Sequence, residues 1–269
     1  MTTVLVQIES LRHEELADRI RAVAEEAAPW VEKITGLSLP RARIDLSTVD
    51  GYATAWSAFH RRQLDRDTAG AGLTEKDRTR IAVRPDAARF AARFCWMVQG
   101  PFLVATSIGQ PVTLLVPESL DHLGVTGAPD LLCSLLVRIL TEQAQVAASD
   151  GALFPPPLWP RVRRSHNARE QLSAGHARWA QEVVTPEILG RPASLIPGPR
   201  PHTYRVRRAA DHVLLVGERL RTRRAAAFTA AAVSSVGLPR FNEVWSSPGA
   251  VPTVDELRHP ARWIARTLG

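Results

Sequence analysis

The chain has 269 residues, 45% of them hydrophobic, enough to enclose a sizeable core in one large domain or two small ones. Its formal charge of +7 is almost wholly arginine, because Lys33 and Lys76 are the only lysines. This is the composition of an ordinary soluble globular protein, and no apolar run approaches the roughly 20 residues needed to cross a bilayer.

The opening MTTVLVQIESLRHEEL turns acidic where a secretory signal would continue apolar, so a cytoplasmic protein is expected. Leu11, Leu16, Ile20, Val23, Ala27 and Val31 carry a helical period, broken by Pro29 and closed by Gly36. Alternation in PRARIDLSTVD, Pro40 to Asp50, predicts a strand. GYATAWSAFHRRQLDR then reads as a helix, and AGAGLTEKDR as a loop opening a short one. Arg84 to Gly100 reads as a further helix. Strands are predicted at Phe102–Ser107 and Val112–Val116 around a GQP turn, followed by a long apolar helix over Pro129–Ala148. The proline-dense DGALFPPPLWPRV is a loop. A second long helix spans Asn167 to Glu182, a third runs with interruptions from Tyr204 to Val236, and short helices and turns finish the chain. No repeat or low-complexity tract appears. The expectation is one α+β, mostly helical domain over 1–269, with a sheet-containing half at 1–150 and a helical half at 151–269.

Candidate chemistry is sparse. The arginine runs at Arg161–Arg164, Arg205–Arg208 and Arg219–Arg224 could meet phosphates, but aromatic residues are only 6% and no nucleic-acid motif accompanies them. A solvated arginine face without a nucleic-acid or membrane partner is expected. Cys95 and Cys133 lack CxxC spacing and read as buried free thiols. There is no GxSxG elbow for a nucleophile and no glycine-rich loop for a nucleotide, so no cofactor is expected. Asp121 and His122 could stand at a cleft rim, although a turn or cap explains Asp121 better. Trp96, Trp159, Trp179, Trp245 and Trp263 read as core anchors.

The unusual feature is the helix containing LLVRILTEQAQVA, which places Arg138 and Glu142 one turn apart on an otherwise apolar element. Further along, His166, Glu170 and His176 are the remaining candidates for a metal. The two histidines are about 15 Å apart along an ideal helix, too far for one compact site without a kink.

Several stretches together resemble the gluzincin-type zinc metallopeptidases, and more closely actinobacterial zinc-dependent metalloprotease-like proteins of the zincin superfamily. They are APWVEKITGLSLP, HRRQLDRDTAG, TLLVPESLDHLGV, GHARWAQEVVTPEILG, and FNEVWSSPGAVPTVDEL with HPARWIAR. The arginine-rich, alanine- and proline-rich composition resembles that of GC-rich actinobacterial proteins as well. The resemblance implies a zincin-like fold, with a small sheet packed on an HExxH helix. In such a helix two histidines at i and i+4 hold zinc and the intervening glutamate activates water. Aligned with the family's VHELTHxxQ, the first histidine falls on Arg138, the glutamate on Ile139 and the second histidine on Glu142. The third ligand, in LVEGHA, falls on Ala174. Thr141, Gln145, Gly175 and His176 match the pattern.

Every position the zinc reaction needs is therefore replaced, and Ile139 cannot act as a base. The resemblance thus implies a protein without zinc or peptidase activity, retaining a cleft formed by Arg138, Glu142, Gln145, Ala174 and His176 for a peptide or small anionic ligand. The alternative is a metal-free enzyme of specialised metabolism catalysing cyclisation, isomerisation or elimination. There Glu142 would be the base and Arg138 the stabiliser of a developing anion. A structural protein whose arginine-rich surface meets an acidic partner is the third reading. The sequence leaves the oligomeric state open.

Overall fold

The computed structural model describes residues 2–96, 101–158, 167–198 and 202–268, without the side chains of Cys95 and of residues 202–216. Strands β1 (Thr3–Ile8), β2 (Arg41–Leu46), β3 (Phe102–Ala105) and β4 (Pro111–Leu115) form one sheet in the order β1-β2-β4-β3. β1 and β2 are parallel, joined by the crossover helix α1 (Glu14–Thr35), and β2 is parallel to β4. β3 runs antiparallel to β4 around a turn in which Gly109 has φ 80°. That turn is the GQP turn of the sequence. β1 was hidden in the N-terminal stretch, yet its alternation is plain: Val4 and Val6 are buried while Thr3, Leu5 and Gln7 face out or to the side.

Three expected breaks are absent. α1 continues through Pro29, which gives up one helical hydrogen bond, because Ala24, Ala27, Ala28 and Val31 on either side are sealed in the core. It ends at Gly36, whose left-handed φ of 67° suits glycine. After α2 (Val49–Thr68) the expected loop is present at 69–74, but the two helices read after it are a single α3 (Glu75–Cys95) that runs through Pro85. It opens on a capping box in which Thr74 and Asp77 satisfy each other's main-chain N–H groups. The expected stop at Gly100 lies outside the described residues. α4 (Pro117–Leu123) and α5 (Pro129–Ala148) follow, and α6 (Asn167–Leu189) outlasts its expected end by passing Pro186. α7 (His202–Ser246) takes in the FNEVW stretch and bends at Gly237, where φ is 79°. Two short helices, α8 (Val254–Arg258) and α9 (Pro260–Leu268), finish the chain.

Two apolar clusters result. The main one joins one face of the sheet to α1, α5, α6 and α7, and is completed by Trp245, Leu257 and Trp263. The smaller one packs Tyr52 and Phe59 of α2 and Ala92 of α3 against Val104, Val112 and Leu114 on the opposite face. β4 is therefore covered on both sides. α5 lies at the centre, and by length and composition it is apolar enough to cross a membrane, contrary to the reading of the hydrophobic runs. Here that apolarity fills a core: between Asp130 and Val146 only Arg138 is exposed.

One buried amide fixes α5 to the sheet. Gln143 Oε1 accepts from the Arg43 main-chain N–H at 3.0 Å, while Nε2 donates to the Arg43 carbonyl at 2.8 Å and to Thr113 Oγ1 at 2.9 Å. Since β2 and β4 pair only from Ile44 and Thr113 onward, the side-chain amide continues the ladder by one residue. Gln143→Leu keeps the volume and removes these bonds. Urea unfolding is expected to show a loss of about 2 kcal/mol from the unpaired polar groups, and an unchanged midpoint would refute the anchoring role.

Candidate functional site

A cleft of about 510 Å³ opens between the smaller cluster and the α5–α6 pair. Trp56, Phe59 and His60 from α2, Phe102 from β3, and Phe154 with Pro156 and Pro157 from the loop after α5 supply apolar and aromatic lining. Trp56 stacks on Phe102 with centroids 3.7 Å apart, and His60 stacks on Trp56 at 5.7 Å. Arg138, Glu142 and Gln145 from α5 and Arg169, Glu170, Ser173 and Ala174 from α6 supply the polar lining. The structure thus brings Arg138, Glu142, Gln145, Ala174 and Glu170 of the sequence reading into one cleft. The aromatic lining from α2 was missed, because Trp56, Phe59 and His60 read as one side of an ordinary amphipathic helix.

Arg138 and Glu142 form an ion pair, with Nε donating to Oε1 at 2.8 Å. The arginine side chain is 48% exposed and the glutamate 18%. The Glu142 carboxylate, reinforced by Glu218 of α7, raises the guanidinium pKa above its ordinary value. Because the carboxylate engages Nε alone, both Nη groups of Arg138 keep their donors unused among the described residues. Burial, and secondarily the nearby Arg84, lowers the pKa of His60, which favours the neutral ring at physiological pH.

Gln145 faces the cleft but its amide is spent on α6. Nε2 donates to the Ser173 carbonyl at 3.1 Å and contacts His176 Nδ1 at 2.9 Å, while Ser173 Oγ donates to Oε1. Since a carbonyl can only accept, the amide orientation is fixed, and Nδ1 of His176 must accept the second Nε2 hydrogen. His176 is therefore the Nε2–H tautomer. Its ring is fully buried beside Trp179, Phe241 and Trp245, and Nε2 has no hydrogen-bond partner among the described residues. Directly before it, Gly175 lets α6 touch α7: a Cβ there would lie 2.3 Å from the Ala225 Cβ. His176 thus supports the cleft from behind and does not line it.

The other candidates separate. His166 lies outside the described residues, and among those residues no group of three or more His, Cys, Asp or Glu side chains could hold a metal ion. The residues aligned with a zinc site do not fit the ion: Arg138 brings a cation, and Ala174 brings no donor. Asp121, at the end of α4, accepts from Thr126 Oγ1 at 2.5 Å, as a turn-forming residue would. The Cys133 thiol is buried in the core and pushed up to about 11, mainly by burial, so it is no nucleophile. Trp245 and Trp263 are core anchors, whereas Trp159 lies outside the described residues.

The profile of the zincin-like metallopeptidase family matches residues 209–264, from the first turns of α7 into α9. None of the curated proteins matches. The chain is similar to a crystal structure from Chloroflexus aurantiacus described as "a putative hydrolase with a novel fold", at 16% identity and a TM-score of 0.61, covering 96% of this chain and 90% of that one. At that identity the likeness shows the fold alone. It also corrects the expected zincin-like architecture. The chain is mostly helical with a small sheet, as read, but the sheet has four strands and the chain shares the arrangement of that distinct fold. An apolar helix beside a small sheet is common to both, and so short motifs on those elements could not tell them apart.

The caged imidazole carries a pH signature. Burial pushes His176 down to about 3 from an ordinary 6.5. Between these values the unfolded chain takes up a proton that the folded chain refuses, so this contribution to stability is whole above 6.5 and is lost as pH falls toward 3. The ¹⁵N resonances of His176 are expected to remain those of the neutral Nε2–H ring at pH 5, and an imidazolium signature there would overturn the assignment.

Proposed function

We propose that the cleft binds a small molecule, or the end of a peptide, that joins a flat apolar body to an anionic group. One observation carries this reading: a stacked aromatic surface at Trp56 and Phe102, and at Arg138 a guanidinium whose terminal donors have no partner among the described residues, line the same cleft of about 510 Å³. Clefts of this size hold small ligands, and a few placed polar groups in a mostly apolar lining fix their orientation. Glu142 holds Arg138 through Nε, leaving the Nη pair to receive an oxyanion in a forked geometry. Among the described residues no group of three or more His, Cys, Asp or Glu side chains could hold a metal ion, which supports a role without metal.

A second reading, metal-free acid–base chemistry on the bound molecule, draws on His60. Its lowered pKa leaves a ring nitrogen able to take a proton inside the cleft, where Glu142 Oε1 is already engaged by Arg138. Native mass spectrometry of the protein from its own host tests this: a retained mass that differs between wild type and His60→Asn supports conversion, and identical masses remove the support.

The binding reading is tested with 2-naphthoate and its neutral counterpart 2-naphthylmethanol, followed by ligand-observed NMR. Naphthoate is expected to bind more tightly by about tenfold, the worth of one charged hydrogen-bonded contact. Arg138→Ala should abolish that preference with little loss of fold, because the side chain is half exposed, and Trp56→Ala should weaken both probes. Equal binding of naphthoate by wild type and Arg138→Ala would end the anchor role.

A further inference from the structure

A second groove, of about 400 Å³, lies on the other side of the first turns of α6. Asn167 and Gln171 of α6, Gly217, Leu220, Arg221 and Arg224 of α7, and Val254, Leu257 and Arg258 of α8 line it. Arg221 and Arg224 are one turn apart on a shared face of α7, and Arg258 ends α8, so two elements converge three guanidiniums on one space. No acidic residue occurs among these lining residues. The acids next along α8 are taken, since Asp255 pairs with Arg262 and Glu256 with Arg266. Elsewhere in the chain arginines find carboxylates, as Arg191 does with Asp130 and Arg240 with Glu243. Arg221, Arg224 and Arg258 have no ion pair or hydrogen bond among the described residues.

Three like charges around one groove repel each other, and among the described residues none of the three has an ion-pair partner. A carboxylate would neutralise only one. Phosphate groups bring two or more negative charges and several oxygens that guanidinium forks match in geometry. Leu220, Val254 and Leu257 add an apolar patch for an organic part, and Asn167, whose Oδ1 already accepts from Gln171 at 2.9 Å, offers its amide N–H groups. We infer that this groove is a binding site for a phosphorylated small molecule, with Arg221, Arg224 and Arg258 as its oxyanion contacts. No aromatic side chain occurs in the described lining, so the stacking platform of a single-stranded nucleic-acid site is missing there.

Calorimetric titration of the whole chain with inorganic pyrophosphate tests the site. Saturable one-to-one binding is expected, weakened about tenfold by each of Arg221→Gln, Arg224→Gln and Arg258→Gln, as for loss of a charge-assisted hydrogen bond. Arg178→Gln, whose guanidinium pairs with Glu182 on α6, should leave it unchanged, as should Arg138→Ala in the cleft. Unaltered thermal unfolding of the glutamine variants would show that the fold is intact. Absence of binding, equal affinity across all the variants, dependence on Arg138, or tighter binding of a single-stranded oligonucleotide than of pyrophosphate would each overturn the inference.

Discussion

The amide of Gln143, buried between α5 and the sheet, governs the orientation of everything around it. An α-helix turns about 100° per residue, so fixing Gln143 against Arg43 and Thr113 fixes the direction of every other side chain on α5. Gln145 is thereby turned onto α6, where it meets Ser173 and His176. Arg138 and Glu142 fall on the arc between these two glutamines, where α5 borders the cleft. A charge pair on a core helix is then no paradox. It lines the cleft with the guanidinium half exposed, and the adjoining Glu142 carboxylate outweighs the cost of its partial burial.

The cleft inherits different chemistry from the two clusters that flank it. On the main-core side, polar groups are tied to one another: Gln145 to α6, Gln181 to the Ser134 carbonyl, and Glu142 to Arg138. On the other side, the smaller cluster simply comes to the surface, and Trp56 and Phe102 are its partly buried rim. Aromatic rings pinned by their own core need little reordering to receive a flat ligand, which lowers the entropic cost of binding. A rigid wall thus faces a polar wall in which both Nη groups of Arg138 keep unused donors among the described residues.

What could be read from the chain divides along physical lines. The bounds of α5 were legible because a proline at its first turn and a continuous apolar run leave little alternative. The pairing of Arg138 with Glu142, and their company with Gln145 and Ala174, followed from helical spacing and from the family resemblance. Pro29 misled because a local rule was allowed to outweigh tertiary burial, which carries α1 through it. β1 was overlooked since its two buried valines form only half of a short pattern. His60 and Trp56 could not be placed at all, because nothing in an amphipathic period says that a helix will border an opening rather than solvent. The overall arrangement was misassigned for a related reason: side-chain motifs on a helix do not encode which sheet order lies beneath it.

The wiring of the main core also sets the order in which the chain can mature. Asn242 Nδ2 closes the end of α1 by donating to the Thr35 carbonyl at 2.9 Å, across 207 residues of sequence. Trp263, wholly buried, donates its indole N–H to Ala250 and packs edge-on against Phe228. The first helix and the last are thus parts of one hydrophobic body. During synthesis β1, α1 and α5 emerge well before their partners, and their apolar faces wait for the final helices. Contacts of such long sequence separation form slowly, so the nascent chain spends that interval with its most apolar helix uncovered, the state in which a chaperone has the most to shield.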